Sequence, residues 1–260
     1  MSHERVNQQT AAAVLAEAVQ KVTDTQQDAI TVAATLLADS VANGGVVQVF
    51  GTGHSRSFAM EIAGRAGGLV PANKISITDL AFFGPKSIAE VMDPHLERDD
   101  TLAAQLLEVH NIQPQDVFVI CSNSGGNGST VELARLVTER GHKLIAVTSM
   151  DHTSKITSRH PSGKRLFEYA DVVIDNCGAF GDAVLELPDA PDGSPQGPIL
   201  ATSTVTSALI AQMMVTEAGG LLIEAGKPVP VLISANIPGG DENNDRLRAA
   251  YADRIKQGGP

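Results

Sequence analysis

A chain of 260 residues, 43% of them hydrophobic, has enough apolar side chain to bury the core of one large domain. Its 30 acidic residues outweigh 19 lysines and arginines, giving a formal charge of −11, and aromatic residues make up only 3% with no Trp. That balance argues against a nucleic-acid partner and against an aromatic platform for single strands. The two cysteines, Cys121 and Cys177, stand in no CxxC pattern, so neither zinc nor a redox motif is expected. The first ten residues are polar, with no apolar stretch of the signal-peptide kind, and no run of about 18 apolar residues suggests a membrane span. The expected location is the cytoplasm.

Residues 6–42 read as two helices. Ala12, Leu15, Ala18, Val19 and Val22 recur at helical spacing, followed by Ile30, Ala33, Ala34, Leu37 and Val41. Thr23-Asp24 can cap the second helix, and Asn43-Gly44-Gly45 stops it. Residues 1–43 are therefore expected to form a helical extension ahead of a domain spanning 44–260. Short apolar runs then alternate with helical segments. Strands are predicted at 46–50, 75–78, 117–121, 144–148 and 172–175, with helices from about Ser55, over 100–110, through Arg140 and over 201–225. Residues 187–198 read as a loop, and a short polar helix is expected over 244–255. The alternation implies βαβ units around a buried parallel sheet of five strands.

Two glycine-rich turns follow strands, where ligands bind in sheets of this kind. The first is Gly51-Thr52-Gly53-His54-Ser55. Its glycines let backbone N–H groups approach a ligand, and a helix then opens toward it. It lacks the third glycine of the dinucleotide fingerprint, because position 56 is Arg56. The second, Ser122-Asn123-Ser124-Gly125-Gly126-Asn127-Gly128-Ser129-Thr130, crowds short hydroxyl and amide side chains at a strand-to-helix junction. One Ser or Thr would suffice for a cap; this many suit the several oxygens of a phosphate. A third polar cluster, Thr202-Ser203-Thr204, opens the last long helix and can complete the pocket.

These residues resemble the SIS (sugar isomerase) family, whose members carry a Gly-rich first loop ending in Ser and a second loop of the form Ser-x-Ser-Gly-x-Thr. Asn127 replaces the usual Thr here, with Thr130 close by. The segments His160-Pro161-Ser162-Gly163-Lys164-Arg165, Ile174-Asp175-Asn176-Cys177-Gly178 and Ser234-Ala235-Asn236 look like a bacterial branch labelled phosphosugar isomerase. That branch is distantly similar to phosphoheptose isomerases and N-acetylmuramic acid 6-phosphate etherases. The resemblance implies a three-layer αβα sandwich of flavodoxin-like type. It also implies a sugar-phosphate ligand, no cofactor, and a homodimer or homotetramer with sites near subunit interfaces. By this analogy the phosphate lies on Gly53, Ser55, Ser122, Asn123, Ser124 and Asn127, with Thr130 and Ser203 nearby.

An aldose–ketose isomerase needs a base to move a proton between C1 and C2. Glu61 interrupts an apolar helical segment six residues past Ser55, about 9 Å along the axis. It can serve as that base or pair with Arg65 at i+4. In the phosphoheptose isomerases and etherases the helical catalytic Glu lies ten residues past the loop Ser, where this chain has Arg65. His54, inside the first loop, can shuttle a proton or bind phosphate. His160 and Arg159 belong to a basic cluster that can reach the substrate of a neighbouring subunit or make ordinary surface salt bridges. Isomerisation is the leading expectation. A phosphosugar lyase or etherase and a non-catalytic sugar-phosphate sensor are the alternatives.

Overall fold

The computed structural model describes residues 6–256. Helix α1 (Gln8–Thr25) is capped by Asn7, whose Oδ1 accepts from Thr10 N–H at 2.9 Å, and α2 (Gln27–Ala42) follows almost without interruption. The break falls at Gln26, not at Thr23-Asp24. Thr23 Oγ1 instead donates to Gln20 O, and Asp24 accepts from the Gln20 amide, so both are satisfied inside α1. Gln26 Oε1 accepts from Asp175 N–H at 2.9 Å, fixing the corner against the sheet.

The remaining elements run β1 (Val47–Gly51), α3 (Arg56–Ile62), β2 (Ala72–Ile75), α4 (Asp79–Phe82), α5 (Ile88–Val91), α6 (Leu102–Val109), β3 (Val117–Cys121), α7 (Gly128–Glu139), β4 (Lys143–Thr148), α8 (Met150–Thr153) and β5 (Val172–Asp175). Then come β6 (Ala183–Leu185), β7 (Ile199–Ala201), α9 (Ser203–Glu224) and α10 (Gly240–Ala249). Strands β1 to β5 form one parallel sheet in the order β2-β1-β3-β4-β5, so the fold is the expected α/β sandwich.

The strands are buried on both faces, and their side chains alternate between two cores. Val47, Val49, Val117, Val119, Ile145 and Val147 meet α2, α3 and α9 on one face. Phe50, Phe118, Ile120, Leu144 and Ala146 meet α6 and α7 on the other. Because Ile30, Ala33, Ala34 and Leu37 belong to the first core, α2 is one of the layers of the sandwich. Helix α9 is long and apolar enough by composition to cross a membrane (22 residues, mean hydropathy 1.3), yet half of that stretch is buried within the fold.

Three elements depart from the sequence reading. Strand β2 ends at Ile75 because the chain then turns: Asp79 Oδ2 accepts from Ser76 N–H at 2.8 Å, and Ser76 and Thr78 hydroxyls meet at 2.8 Å. The 186–198 loop is flanked by a small antiparallel hairpin, β6 with β7, whose three-residue strands leave no readable alternation. Helix α10 starts at Gly240, where only glycine fits: an added Cβ would stand 2.2 Å from Ser234 O.

Candidate phosphosugar site

Strands β1 and β3 are neighbours, but the chain leaves them toward opposite faces of the sheet. Phe58 of α3 enters the first core, and Leu133 of α7 the second. This is the topological switch point of the sheet, and both glycine-rich loops meet there. Gly51 is required by its own loop, since a Cβ would lie 2.5 Å from Ser55 O. Gly53 turns the chain into Ser55 with φ +53°.

A crevice of about 10 Å³ opens between the loops, lined by His54 and Ser55 of the first, Ser57 of α3, Asn123 of the second loop, and Ser203, Thr204 and Ser207 of α9. Asn176, just past β5, closes it. Its side-chain N–H₂ donates to Asn123 Oδ1 at 3.0 Å and to Ser207 Oγ at 3.4 Å, while Gly178 N–H donates to its Oδ1 at 2.9 Å. The lining is thus hydroxyl and amide, oriented by a chain of hydrogen bonds. Beneath it, burial pushes the Cys121 thiol up to about 12, so it stays protonated and donates toward Ser207 Oγ. Asn176 and Ser207 bear on the site although neither was nominated from the sequence.

His54, Arg56 and Ser57 also line a larger cleft of about 400 Å³, together with Lys74, Ser76, Thr78 and Asp79. A third cleft shares Gly53, Arg56, Ser76 and Thr78 with it and ends at Glu97. Glu97 stands between the two glycine-rich loops. Its Oε1 accepts from Asn127 Nδ2 at 2.8 Å, its backbone C=O accepts from Ser129 Oγ at 2.8 Å, and its Oε2 lies 3.9 Å from where a Cβ on Gly53 would be.

The helix starts differ in a way that matters for an anion. Asp182 caps α9: its carboxylate accepts from Thr202 N–H (3.1 Å), Ser203 N–H (2.9 Å) and Ser203 Oγ (2.7 Å). Helix α7 has no side-chain cap at Asn127, whereas the N–H groups of Ser55 and Arg56 leading into α3 are already bonded to the Thr52, Gly53 and His54 carbonyls. The first N–H groups of α7 are thus unshared by a side-chain cap.

The SIS domain family profile matches residues 12–149, more than half of the chain. The chain belongs to the SIS domain family. A UPF0309 protein of Listeria monocytogenes is 39% identical over 242 residues, covering 92% of this SIS chain and 94% of the relative. Another, from Streptomyces coelicolor, is 37% identical over 237 residues, covering 91% and 92%. Among solved structures, the phosphoheptose isomerase of Neisseria gonorrhoeae superposes with a TM-score of 0.53 at 18% identity, covering 82% of this chain and 98% of the other. That of Francisella tularensis gives 0.51 at 16%, covering 81% and 95%. At such identities the likeness is one of fold.

The other nominated residues of this SIS protein occupy distinct positions. Ser122 is buried and its Oγ accepts from Gly125 N–H at 3.1 Å, shaping its own loop, while Ser124 is half-buried beside it. Asn127 is held between Glu97 and Arg159, whose Nη1 donates to Asn127 Oδ1 at 3.1 Å. Thr130 is fully buried in the first turn of α7, with no hydrogen-bond partner for Oγ1 among the described residues. His160 is buried and both ring nitrogens are engaged within its own chain, Nε2 2.9 Å from Glu132 Oε2 and Nδ1 2.7 Å from Ser162 Oγ. Glu61 takes its i+4 partner Arg65 and also accepts from Gln212 Nε2 of α9 at 2.7 Å. It lines none of the three clefts described above.

Proposed function

We propose that this SIS protein binds a phosphorylated sugar at the switch point and interconverts its aldose and ketose forms by proton transfer. One observation carries the reading. Hydroxyls and amides of both glycine-rich loops and of α9 converge on one cleft, and the helix that follows the second loop starts without a side-chain cap. Phosphate needs several short donors, and uncapped N–H groups with the helix dipole behind them supply them without a metal or a cofactor. Ser55 and Asn123 reach the cleft directly, and Ser203 borders it with its hydroxyl proton given to Asp182. Gly53, Ser122, Ser124, Asn127 and Thr130 shape or border the loops that form it.

For the proton transfer, His54 has the better position of the two side chains nominated from the sequence, because it borders both the small cleft and the larger one. Glu61 is committed to Arg65 and Gln212. We assign the base to Glu97, which lines the third cleft from between the loops, with His54, on the small and larger clefts, handling the oxygen-bound proton. The reaction is placed in the cytoplasm, and the working unit is a homodimer or homotetramer in which Arg159, exposed beside the second loop, is available to a neighbouring subunit.

Thermal shift against a panel of C5 to C7 sugar phosphates is the first test. Ligand at a hundred times its Kd raises stability by about 2.7 kcal/mol. Ligands that stabilise the protein are then assayed for interconversion. Glu97→Gln is expected to keep binding and lose turnover, whereas Glu61→Gln keeps both. Stabilisation with no turnover across the whole panel would replace the isomerase by a sensor, and no stabilisation at all would remove the phosphosugar reading.

A further inference from the structure

We infer that Asp79 is a specificity-determining residue of the site, binding a hydroxyl of the sugar's carbon chain in the larger cleft, with His110 behind it as a positioning residue. The inference rests on the phosphosugar reading above. Asp79 lines that cleft although its side chain is only 3% exposed. One carboxylate oxygen is spent inside the protein: Oδ2 accepts from Ser76 N–H at 2.8 Å and lies 3.1 Å from Nε2 of His110, whose side chain is fully buried. The other, Oδ1, takes no hydrogen bond among the described residues. Among those residues, the polar side-chain atoms that are both fully buried and without a partner are Thr130 Oγ1 and Thr153 Oγ1. Asp79 Oδ1 is therefore not sealed in the core, and the surface it reaches is the cleft wall.

A chain of buried hydrogen bonds behind Asp79 sets it as an acceptor. His110 Nδ1 lies 3.0 Å from Asn73 Nδ2. The amide of Asn73, buried on β2, is oriented by two partners: its Oδ1 accepts from Lys256 N–H at 3.0 Å, and its Nδ2 donates to Gln48 Oε1 at 2.9 Å. Gln48, buried on β1, is oriented in turn, because its Nε2 donates at 3.0 Å to Asp116 Oδ2, an oxygen that also accepts from Arg254. Asn73 Nδ2 therefore donates to His110 Nδ1, which places the ring proton on Nε2, aimed at Asp79 Oδ2. Two N–H groups thus converge on Oδ2, and Oδ1 presents its lone pairs to the cleft. A sugar hydroxyl matches that oxygen, since it brings a proton; a phosphate, itself an acceptor, would be repelled. A carbon chain without the hydroxyl would cover Oδ1 and leave it unpaired, which is how a buried polar group discriminates. His54 and Ser57 line both cavities, so a ligand with its phosphate among the loop donors can pass them and set its hydroxyls against Asp79.

The test titrates the full chain calorimetrically with glucitol 6-phosphate, an open-chain hexitol, and with inorganic phosphate, which lacks the carbon chain. The unaltered protein is expected to bind the hexitol at least about tenfold more tightly. Asp79→Asn replaces a charge-assisted bond by a neutral one and should cut that ratio about fivefold or more, with phosphate affinity kept within about twofold. A second measurement needs no variant: nitrogen-15 resonances of the His110 ring should show the proton on Nε2. Glucitol 6-phosphate should shift the Nε2 resonance, because the ligand draws on the carboxylate that this N–H holds, and inorganic phosphate should leave it in place. A ratio unchanged in Asp79→Asn, or no preference for the hexitol in the unaltered protein, overturns the inference and leaves the phosphosugar reading standing, because both ligands still bind. A proton on Nδ1 overturns it as well. Should Asp79→Asn fail to fold, the His110 response decides: a shift with the hexitol alone supports the inference, and no shift overturns it. Binding of neither ligand removes the phosphosugar reading together with it.

Discussion

Gly128 joins the second loop to α7, and replacing it with Ala sets two effects against each other. In a helix Ala is favoured over Gly by about 1 kcal/mol. Here, however, the new Cβ would stand 2.2 Å from Arg98 O, 2.9 Å from Arg98 C and 3.1 Å from Asp100 N. All three are backbone atoms, so no side-chain rotation relieves the collision. Either the start of α7 or the 98–100 segment must move by more than 1 Å to reach ordinary contact, and overpacking of that kind costs about 1–3 kcal/mol. Because the clash is with main chain, we expect the upper end and a net loss of about 2 kcal/mol. For a chain of this size that lowers Tm by about 4–8 °C. Gly220 is the control: it lies in α9 with nothing within 4 Å of its would-be Cβ, so Gly220→Ala should gain about 0.5–1 kcal/mol. Calorimetric melting of the three proteins measures both effects. The site adds a second readout, because Glu97 adjoins Arg98 and is tied to Asn127 and Ser129 at the start of α7. Gly128→Ala should therefore weaken sugar-phosphate binding as well. A Gly128→Ala protein as stable as the parent, or more so, would refute the packing argument.

Two further perturbations test the frame around the site. Asp116 has a fully buried side chain that accepts from Val46 N–H, Gln48 Nε2 and Gln113 N–H and takes Arg254 Nη2 at 2.6 and 2.8 Å. Asp116→Ala strands all of these donors and should cost about 3–5 kcal/mol in urea unfolding; a loss under 1 kcal/mol would show that water replaces the carboxylate. Hydrogen bonds from Arg135 hold the Glu132 carboxyl below its ordinary value of 4.5; burial opposes them and His160 assists them. A lowered folded-state value means stabilisation that is present above the ordinary glutamate range and is lost as pH falls through the folded-state value. Glu132→Gln should thus be less stable than the parent at pH 7, with the gap narrowing as pH falls below the ordinary glutamate range, as read from urea midpoints; a gap that stays constant as the pH is lowered would contradict the linkage.

The elements that could be read directly from the sequence are those whose burial is complete and local. Residues 117–121 and 144–147 are uninterrupted apolar runs, and they form β3 and most of β4. Residues 75–78 looked like a strand through Ile75 and Ile77, but the decisive interaction is the Asp79 carboxylate on Ser76 N–H, a turn device that apolar periodicity does not register. The glycine-rich loops were visible because their composition is unusual for a βα turn. Asn176 and Ser207 were not, since their place in the cleft depends on how the end of β5 and the second turn of α9 come together in space. Glu97 sits in a charged stretch, 93–100, without period. Only the close passage of Gly128 over Arg98 brings it between the loops. His160 stood in a cluster of basic residues that reads as exposed, and Glu132 of α7 is what draws it inward.

An acidic chain that binds an anion must do so against its own long-range field, which disfavours approach and leaves short-range contacts to do the holding. The distribution of caps then decides where a phosphate can sit. The start of α9 is already answered by Asp182, a residue held at φ +71° whose carboxylate takes two backbone N–H groups and the Ser203 hydroxyl. A second anion placed there would meet that carboxylate and find the donors spent. The start of α7 has no side-chain cap at Asn127, and it stands at the switch point. On the proposed reading, the phosphate is therefore driven toward the second loop and α7, and the α9 side of the cleft offers only the remaining hydroxyls of Thr204 and Ser207. That asymmetry fixes the ligand's direction. With the phosphate beside the second loop, the carbon chain leaves past His54 and Ser57 into the larger cleft, which Lys74 lines.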